Sequence, residues 1–215
     1  MASQVIYGKR PVAEAERGRR CVRRIWRAPE TSGEELERLC GSPDHQGVVA
    51  EVDSYPYADA AGLLRMKDGL IVALDQVQDP RNLGAVCRSA EAAGAGVVLP
   101  ERRAAEVTPA ACKASAGAVE HLALARVRNL ADWLGDAKRA GFWIWGADAG
   151  ADAHPWDVDL SGTTVLVLGG EGKGLRPRVA AACDGLIALP QRGMIGSLNV
   201  SAAAAAILFE AVRQR

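Results

Sequence analysis

The sequence predicts an α/β fold in which helices cover both faces of a parallel sheet, preceded by a small N-terminal α/β unit. Two observations carry this prediction. From about residue 70 onward, short apolar runs alternate with helical patterns, which is typical of consecutive βαβ units. Several of these runs end in a polar or glycine-rich loop, which is typical of the connection between a parallel strand and the helix that follows it. The chain has 215 residues, 49% of them hydrophobic, which suffices for a core.

Periodicity and turn residues divide the chain into an N-terminal unit over 1–55, a linker over 56–68 and a main domain over 69–215. Pro56, Asp59 and Gly62 mark the linker. In the N-terminal unit we expect helices over 11–16 and 34–40 and strands over 21–26 and 47–52. In the main domain we expect strands near 70–75, 95–100, 122–127, 142–147, 163–168 and 185–189, and helices near 83–93, 108–117, 129–140, 175–183 and 198–213.

The first segment with chemical interest follows the apolar run over 70–74. Asp79 and Pro80 form a predicted turn, and Asn82 falls at the expected N-cap of the next helix. Arg88 lies about two turns further on, in an alanine-rich helix, where its guanidinium would suit an anionic ligand. Taken alone, Arg88 is better explained as a solvated helix charge, because arginine is rarely fully buried.

A second segment, residues 163–179, places a run of glycines after a β-branched strand. Glycines at such a position indicate a nucleotide-like ligand. A phosphate-binding P-loop would need Gly at 167 and Ser or Thr at 174, where the chain has Val167 and Gly174, so that motif is absent. A dinucleotide fingerprint would need Gly at 175, where the chain has Leu175, so that motif is absent as well.

A third segment, residues 189–210, runs through a glycine-bearing loop into a helix of small residues. Gly193 and Gly196 are candidates for positive φ and close approach to a ligand. Asn199 and Ser201 could hydrogen-bond the free amides at the helix start. An ordinary capped helix after a short loop explains this segment alone equally well.

Together the three segments resemble the three motifs of the SpoU/TrmH class of the SPOUT RNA methyltransferases, in the order of that family. The matching residues are 82–85 with 88–90, then 169–174, then 197–201. The end of the chain and residues 6–8 and 45–47 are most similar to the bacterial 23S ribosomal RNA guanosine-2′-O-methyltransferases of the RlmB type. The resemblance covers nearly the whole chain. It departs from the type in the N-terminal part, where the stretch from 27 to 45 is too short for the usual RNA-binding domain.

The resemblance implies a C-terminal trefoil knot, a homodimer with active sites completed at the subunit interface, and S-adenosylmethionine as methyl donor. It implies transfer to a ribose 2′-hydroxyl beside Arg88. Because a guanidinium stays protonated, we expect Arg88 to lower the pKa of that hydroxyl and hold the adjacent phosphate, while water or a phosphate oxygen takes the proton. The implied catalytic residues are Asn82, Arg88, Glu171, Ser197 and Asn199, and the implied cofactor-binding residues are Gly169, Gly170, Leu189, Gly193, Leu198 and Asn199.

The formal net charge is zero, but basic residues concentrate near the start of the chain. Between residues 1 and 27 there are eight basic residues against two acidic ones, a local excess that favours contact with RNA phosphates. A solvated basic face is the alternative. The candidate RNA-binding residues are Lys9, Arg10, Arg20, Arg23 and Arg24.

Composition also favours some classes of protein over others. The five cysteines are scattered without ligand spacing, so we expect neither a disulfide framework nor a metal site. No run of about 20 apolar residues and no signal peptide is visible, so we expect a cytoplasmic protein without a membrane helix. Methylation of transfer RNA or of another ribosomal site, including a resistance-type modification, stays open. So does a catalytically silent RNA-binding module, while a nucleotide-dependent oxidoreductase is the weakest alternative.

Overall fold

The computed structural model describes residues 3–170 and 174–215, and its N-terminal part is a three-stranded antiparallel sheet with two helices. The strand order is β1-β3-β2. Both predicted helices and both predicted strands are confirmed to within two or three residues, whereas β1 was not predicted. The elements are β1 (Ser3–Tyr7), α1 (Lys9–Arg17), β2 (Val22–Arg27), α2 (Gly33–Cys40) and β3 (Val48–Asp53).

The larger part is a six-stranded sheet in the order β6-β5-β4-β8-β7-β9, with every neighbouring pair parallel. The predicted parallel sheet is therefore confirmed, with all six strands in place. The segment predicted as a linker contains a short helix, α3. The elements are α3 (Ala60–Leu63), β4 (Leu70–Asp75), α4 (Pro80–Ala92), β5 (Gly96–Pro100), α5 (Pro109–Ala114), β6 (Leu124–Val127), α6 (Leu130–Arg139), β7 (Trp143–Ala147), β8 (Thr164–Gly169), α7 (Pro177–Ala180), β9 (Gly185–Ile187) and α8 (Val200–Gln214).

Helices cover both faces of this sheet because its central strands are apolar on both sides. In β4, Leu70, Val72 and Leu74 face one hydrophobic core, and Ile71 and Ala73 face the other. The first core also contains apolar residues of α4 and α8, and the second contains those of α6 and α7. No helix in the described residues is long and apolar enough to cross a membrane.

The strand order sets the position of the site. After β4 the chain moves to β5 on one side of the sheet, and after β8 it moves to β9 on the other. The carboxyl ends of β4 and β8 therefore lie side by side at a switch point, where ligands bind in open α/β sheets. The loops that follow these two strands carry the first two sequence motifs.

The N-terminal sheet packs against the layer formed by α4 and α5. Ile6, Val12 and Val52 belong to the same hydrophobic core as α4. The Gln4 side chain donates a hydrogen bond to the Val107 carbonyl at 3.0 Å, and the Tyr55 hydroxyl donates one to the Val119 carbonyl at 2.7 Å. Apolar and polar contacts together hold the two sheets in one fixed arrangement.

Candidate active site

A cavity of about 740 Å³ opens at the carboxyl edge of the six-stranded sheet. Its volume lies within the range typical of small-molecule sites, and its walls are mostly small or apolar, with a few polar groups. The ends of β7, β8 and β9, the loop before α8, and the first turns of α8 contribute to it. The lining residues are Ala147, Asp148, Ala149, Leu168, Gly169, Gly170, Gly174, Ile187, Ala188, Leu189, Gln191, Ser197, Leu198, Asn199, Val200, Ala203 and Ile207.

Close backbone contacts explain the glycines that follow β8. A Cβ atom at Gly169 would lie 2.2 Å from the Gly174 carbonyl, and one at Gly170 would lie 2.5 Å from the Gln76 carbonyl oxygen. Gly170 and Gly174 also form an antiparallel bridge that closes the loop. Side chains at 169 and 170 would therefore collide with backbone. Glu171, one of the implied catalytic residues, lies outside the described residues.

The first and third motifs meet through a pair of asparagines. The Asn199 side chain donates from Nδ2 to Oδ1 of Asn82 at 3.0 Å. Asn199 is the N-cap of α8, because its Oδ1 accepts from the Ser201 amide at 2.8 Å. The prediction that Asn82 caps α4 is wrong: Asp79 does so, accepting from the Arg81 amide at 2.8 Å. Because Asn82 does not cap α4, its side chain can accept the hydrogen bond from Asn199 at the start of α8.

The loop before α8 places some predicted residues at the cavity and not others. Leu189, Ser197 and Leu198 line the cavity with Asn199. Gly193 and Gly196 are both exposed, and neither lines the cavity. Neither has a positive φ. The expectation that these two glycines adopt a left-handed backbone is therefore wrong, and the structure does not bring Gly193 to the cavity.

The structure does not bring Arg88, one of the implied catalytic residues, to this cavity. It lies on the exposed side of α4, about 9 Å along the helix axis from Asn82, and it is not a lining residue. Its guanidinium forms no hydrogen bond or ion pair with any residue in 3–170 or 174–215. The six-residue spacing turns it roughly 120° away from Asn82 around the helix.

An ion pair between a buried carboxylate and a half-buried arginine, which was not predicted from the sequence, fixes the junction of the first two motifs. Asp75, the last residue of β4, is fully buried and accepts from the Arg176 backbone amide at 2.9 Å and from its Nε at 2.7 Å. The bonds tie the segment after the glycine loop to the end of the central strand. A carboxylate directly after an apolar buried run was the available signal, because a buried charge requires a partner.

The predicted RNA-binding residues fall into two groups. The assignment of Arg20 is wrong: its side chain is 0% exposed, and it is bonded to Glu120, Gln4 and Cys112 in the interior. Burial alone would lower the pKa of Arg20, but the bonds to Glu120 and Cys112 outweigh it and raise that pKa. Arg23 is exposed but pairs with Asp53 at 2.6 Å. Lys9, Arg10 and Arg24 are exposed.

Ion pairs also reduce the charge excess counted from the sequence. Arg17 pairs with Glu14 at 3.7 Å, and Arg27 pairs with Glu16 at 3.2 Å. Four of the eight basic residues near the chain start are therefore paired in the described structure. Arg24 lies over the Trp26 ring, 5.0 Å from its centroid, on β2, an edge strand of the three-stranded sheet.

Cysteine chemistry and metal binding receive no support from the described residues. All five cysteines are free, and burial raises the pKa of Cys112 to about 11 and that of Cys87 further. The described part of the chain holds no group of three or more histidine, cysteine, aspartate or glutamate side chains placed to hold a metal ion.

A family model and the sequence relatives of this chain indicate the same kind of protein. The profile of the SpoU rRNA Methylase family matches residues 69–209. The 23S rRNA (guanosine-2′-O-)-methyltransferase RlmB of Xanthomonas campestris is 45% identical over 186 residues, which are 84% of this chain and 75% of that protein. An uncharacterized tRNA/rRNA methyltransferase of Mycolicibacterium smegmatis is 44% identical over 187 residues, which are 84% of this chain and 60% of that protein.

Solved structures agree with the sequence relatives. The SpoU methyltransferase AviRb of Streptomyces viridochromogenes, in complex with AdoMet, superposes with a TM-score of 0.85 at 29% identity, covering 99% of this chain and 90% of that one. An AdoMet-bound rRNA methyltransferase of Sinorhizobium meliloti gives a TM-score of 0.87 at 25% identity, covering 98% of this chain and 87% of that one.

Proposed function

The chain belongs to the SpoU rRNA methylase family, and on that premise we propose that it methylates the ribose 2′-hydroxyl of a guanosine in 23S ribosomal RNA with S-adenosylmethionine. The observation that carries the proposal is the cavity, because parts of all three motif segments meet at it or beside it. Gly169 and Gly170 come from the second, Ser197 and Asn199 from the third, and Asn82 of the first is bonded to Asn199.

The residues of the cavity fit this methyl donor. Leu168, Ile187 and Ile207 provide apolar walls for an adenosyl group. Gly169 and Gly170 keep side chains out of the opening, so backbone groups can approach a ligand. When bound, S-adenosylmethionine supplies a methyl group on a positively charged sulfur, which makes that carbon reactive toward an oxygen nucleophile.

The polar residues beside the cavity would act on the acceptor. The ribose oxygen would take the methyl group in place of the sulfur, and its proton would leave to water or a phosphate oxygen. Asn82, held by Asn199, would position the hydroxyl, and Ser197 would fix the loop around it. We assign Glu171 to orienting Arg88 or Asn82, as the motif match implies.

Arg88 would stabilise the developing oxyanion and hold the neighbouring phosphate. Because Arg88 lies outside the cavity of its own chain, we propose that a homodimer completes the site. Ala202, Ala206, Phe209 and Val212 form an exposed apolar stripe on α8, which packs beside α4, and Phe209 is 50% exposed. Such a stripe suits a twofold helix contact, where small residues allow close approach.

Two further features of the family enter the proposal. We propose that the C-terminal segment threads into a trefoil knot; the path from β9, at the sheet edge, back to α8, which packs on α4 and β8, supports this. We also propose that the shortened N-terminal unit binds RNA through Lys9, Arg10 and Arg24, with a weaker contribution from the paired Arg23.

The test combines binding with product mapping. Calorimetry should detect S-adenosylmethionine and not nicotinamide cofactors. Incubation with methyl-labelled S-adenosylmethionine and unmodified 23S or transfer RNA should label the 23S RNA on a guanosine ribose. Arg88→Ala should lower the transfer rate by at least about 100-fold, the loss typical of removing one transition-state donor, while cofactor affinity stays unchanged. Label on transfer RNA, or no label on RNA, would contradict the proposal.

A further inference from the structure

A second cavity borders the first and differs from it in chemistry. Its volume is about 310 Å³, and it lies between the loop after β4 and the start of α8. Val200 contributes to both cavities, and the hydrogen bond between Asn82 and Asn199 joins a residue of one to a residue of the other. The lining residues of this second cavity are Gln76, Val77, Gln78, Asp79, Asn82 and Val200. Four of these side chains are polar, whereas the first cavity is mostly small and apolar.

The backbone around the second cavity is firmly held. Gln76 has a φ of 62°, an unfavourable value for a residue with a side chain, and its carbonyl lies against Gly170. The Val77 carbonyl accepts from the Ala105 amide at 2.8 Å. Asp79 is fixed as the N-cap of α4. Residues with strained backbone that neighbouring contacts hold in place are common at ligand sites.

Polar groups in this cavity retain hydrogen-bonding capacity. Across residues 3–170 and 174–215, the side-chain amides of Gln76 and Gln78 have no hydrogen-bond partner. The Asp79 carboxylate uses Oδ1 for the helix cap, and each carboxylate oxygen can accept more than one bond. Three residues whose side chains keep unused donors and acceptors thus line one concave surface beside the proposed methyl donor.

We infer that this second cavity binds the guanine base of the nucleotide that is methylated, with Asp79 and Gln78 as the residues that determine base specificity. The Watson–Crick edge of guanine carries two adjacent donors, N1–H and the 2-amino group, next to the O6 acceptor. A carboxylate accepts from both donors, and a glutamine amide donates to O6. Adenine, cytosine and uracil do not present two adjacent donors on that edge. The inference rests on the proposed function, because it names how that reaction selects its acceptor.

The size and position of the cavity agree with one nucleotide. A volume of about 310 Å³ is near the lower end for ligand sites and has no room for a base pair, so the base would leave its stack to enter. A base in this cavity leaves its ribose at the boundary with the first cavity, beside Asn82 and Asn199. The 2′-hydroxyl would then face the methyl donor in the first cavity.

The sharpest variant is Asp79→Asn. Asparagine caps helices as well as aspartate does, so α4 should keep its start and the protein its stability. The change replaces one acceptor oxygen by an amide nitrogen, which is a donor. That donor would face one of the two guanine donors, so one hydrogen bond to the base would be lost. We expect kcat/KM for methylation of 23S RNA to fall by about 10- to 100-fold, the usual discrimination of a bidentate base contact. Affinity for S-adenosylmethionine should stay unchanged. Gln78→Ala should lower kcat/KM less, by roughly 5- to 10-fold.

Asp59→Asn is the matched control. Asp59 is the N-cap of α3, accepting from the Ala61 amide at 3.1 Å, and it lines neither cavity, so this variant should retain full activity. An RNA oligonucleotide spanning the mapped nucleotide, carrying guanosine or inosine there, adds a second measurement. Inosine lacks the 2-amino group, so it should be a poorer substrate for the unchanged protein. It should be little worse than guanosine for Asp79→Asn, because the two changes remove the same contact.

The outcomes separate this inference from the function on which it rests. Methylation of a guanosine ribose that is insensitive to Asp79→Asn would overturn the inference and leave the proposed function standing. Methylation of an adenosine, cytidine or uridine would overturn the inference together with the guanosine part of the proposed function, and leave only RNA methyl transfer standing. Absence of S-adenosylmethionine binding and of transfer to RNA would overturn both. Loss of activity in Asp79→Asn together with a lower thermal midpoint or weaker cofactor binding would show a structural role and overturn the inference.

Discussion

Removing the carboxylate of Glu120 should destabilise the whole chain, because it leaves the guanidinium of Arg20 buried without a counter-charge. The two side chains are 1% and 0% exposed, and Arg20 donates to Glu120 through both Nε and its terminal nitrogen. Breaking such a pair by deleting one partner costs about 3–5 kcal/mol. We therefore expect Glu120→Ala to lower the free energy of unfolding by that amount, and Arg20→Ala to do nearly the same.

Urea denaturation measures this effect. At a slope of roughly 3 kcal/mol per molar, the loss should move the midpoint down by about 1 to 1.7 M. Arg27→Ala is the control, because Arg27 belongs to an exposed pair with Glu16 and should cost less than about 1 kcal/mol. A variant with Arg20→Met and Glu120→Leu together should recover much of the stability. If Arg20→Ala left the midpoint unchanged and weakened RNA binding, our assignment of Arg20 to the interior would be refuted.

The remaining predictions concern the proposed dimer and the RNA contacts. Ala203→Phe should fill the first cavity and block cofactor binding, and an equimolar mixture of this variant with Arg88→Ala should regain activity, because a mixed dimer combines an intact cavity with an intact Arg88. A mixture that stays inactive while light scattering shows mixed dimers would contradict a site shared between chains. Replacing Lys9, Arg10 and Arg24 by alanine together should reduce the slope of log affinity against log salt by about 2 to 3, and an unchanged slope would show that RNA binds elsewhere.

Local sequence patterns predicted most of the fold because the elements are strongly periodic. Six apolar runs separated by helical patterns strongly favour a parallel sheet with helices on both faces, and the six strands lie at the predicted positions. β1 was missed because its residues, Ser3–Tyr7, alternate for only a few positions at the chain start. Its pairing with β3 depends on residues that lie far away in the sequence.

The cavity residues were predictable for a topological reason. Loops that follow parallel strands meet at one edge of the sheet, so polar and glycine-rich segments after three different elements were expected to converge. The cap of α4 was misplaced from Asp79 to Asn82 because several residues near a helix start can serve as caps. The placement of Arg88 outside the cavity was not predictable, because helix phase relative to a distant loop depends on how α4 packs on α8.

The number of basic residues available to bind RNA was the property that the sequence predicted least well. Arg20 and Glu120 are 100 residues apart, so no local pattern indicates that one neutralises the other. Counting formal charges treats every basic residue as available, whereas the ion pairs of the described structure engage half of the eight near the chain start. The buried pair also joins the turn between α1 and β2 to the segment after α5, so it helps to set where the remaining exposed cations lie relative to the cavity. If these cations hold RNA as proposed, the shape of that RNA must bring its target nucleotide to the cavity.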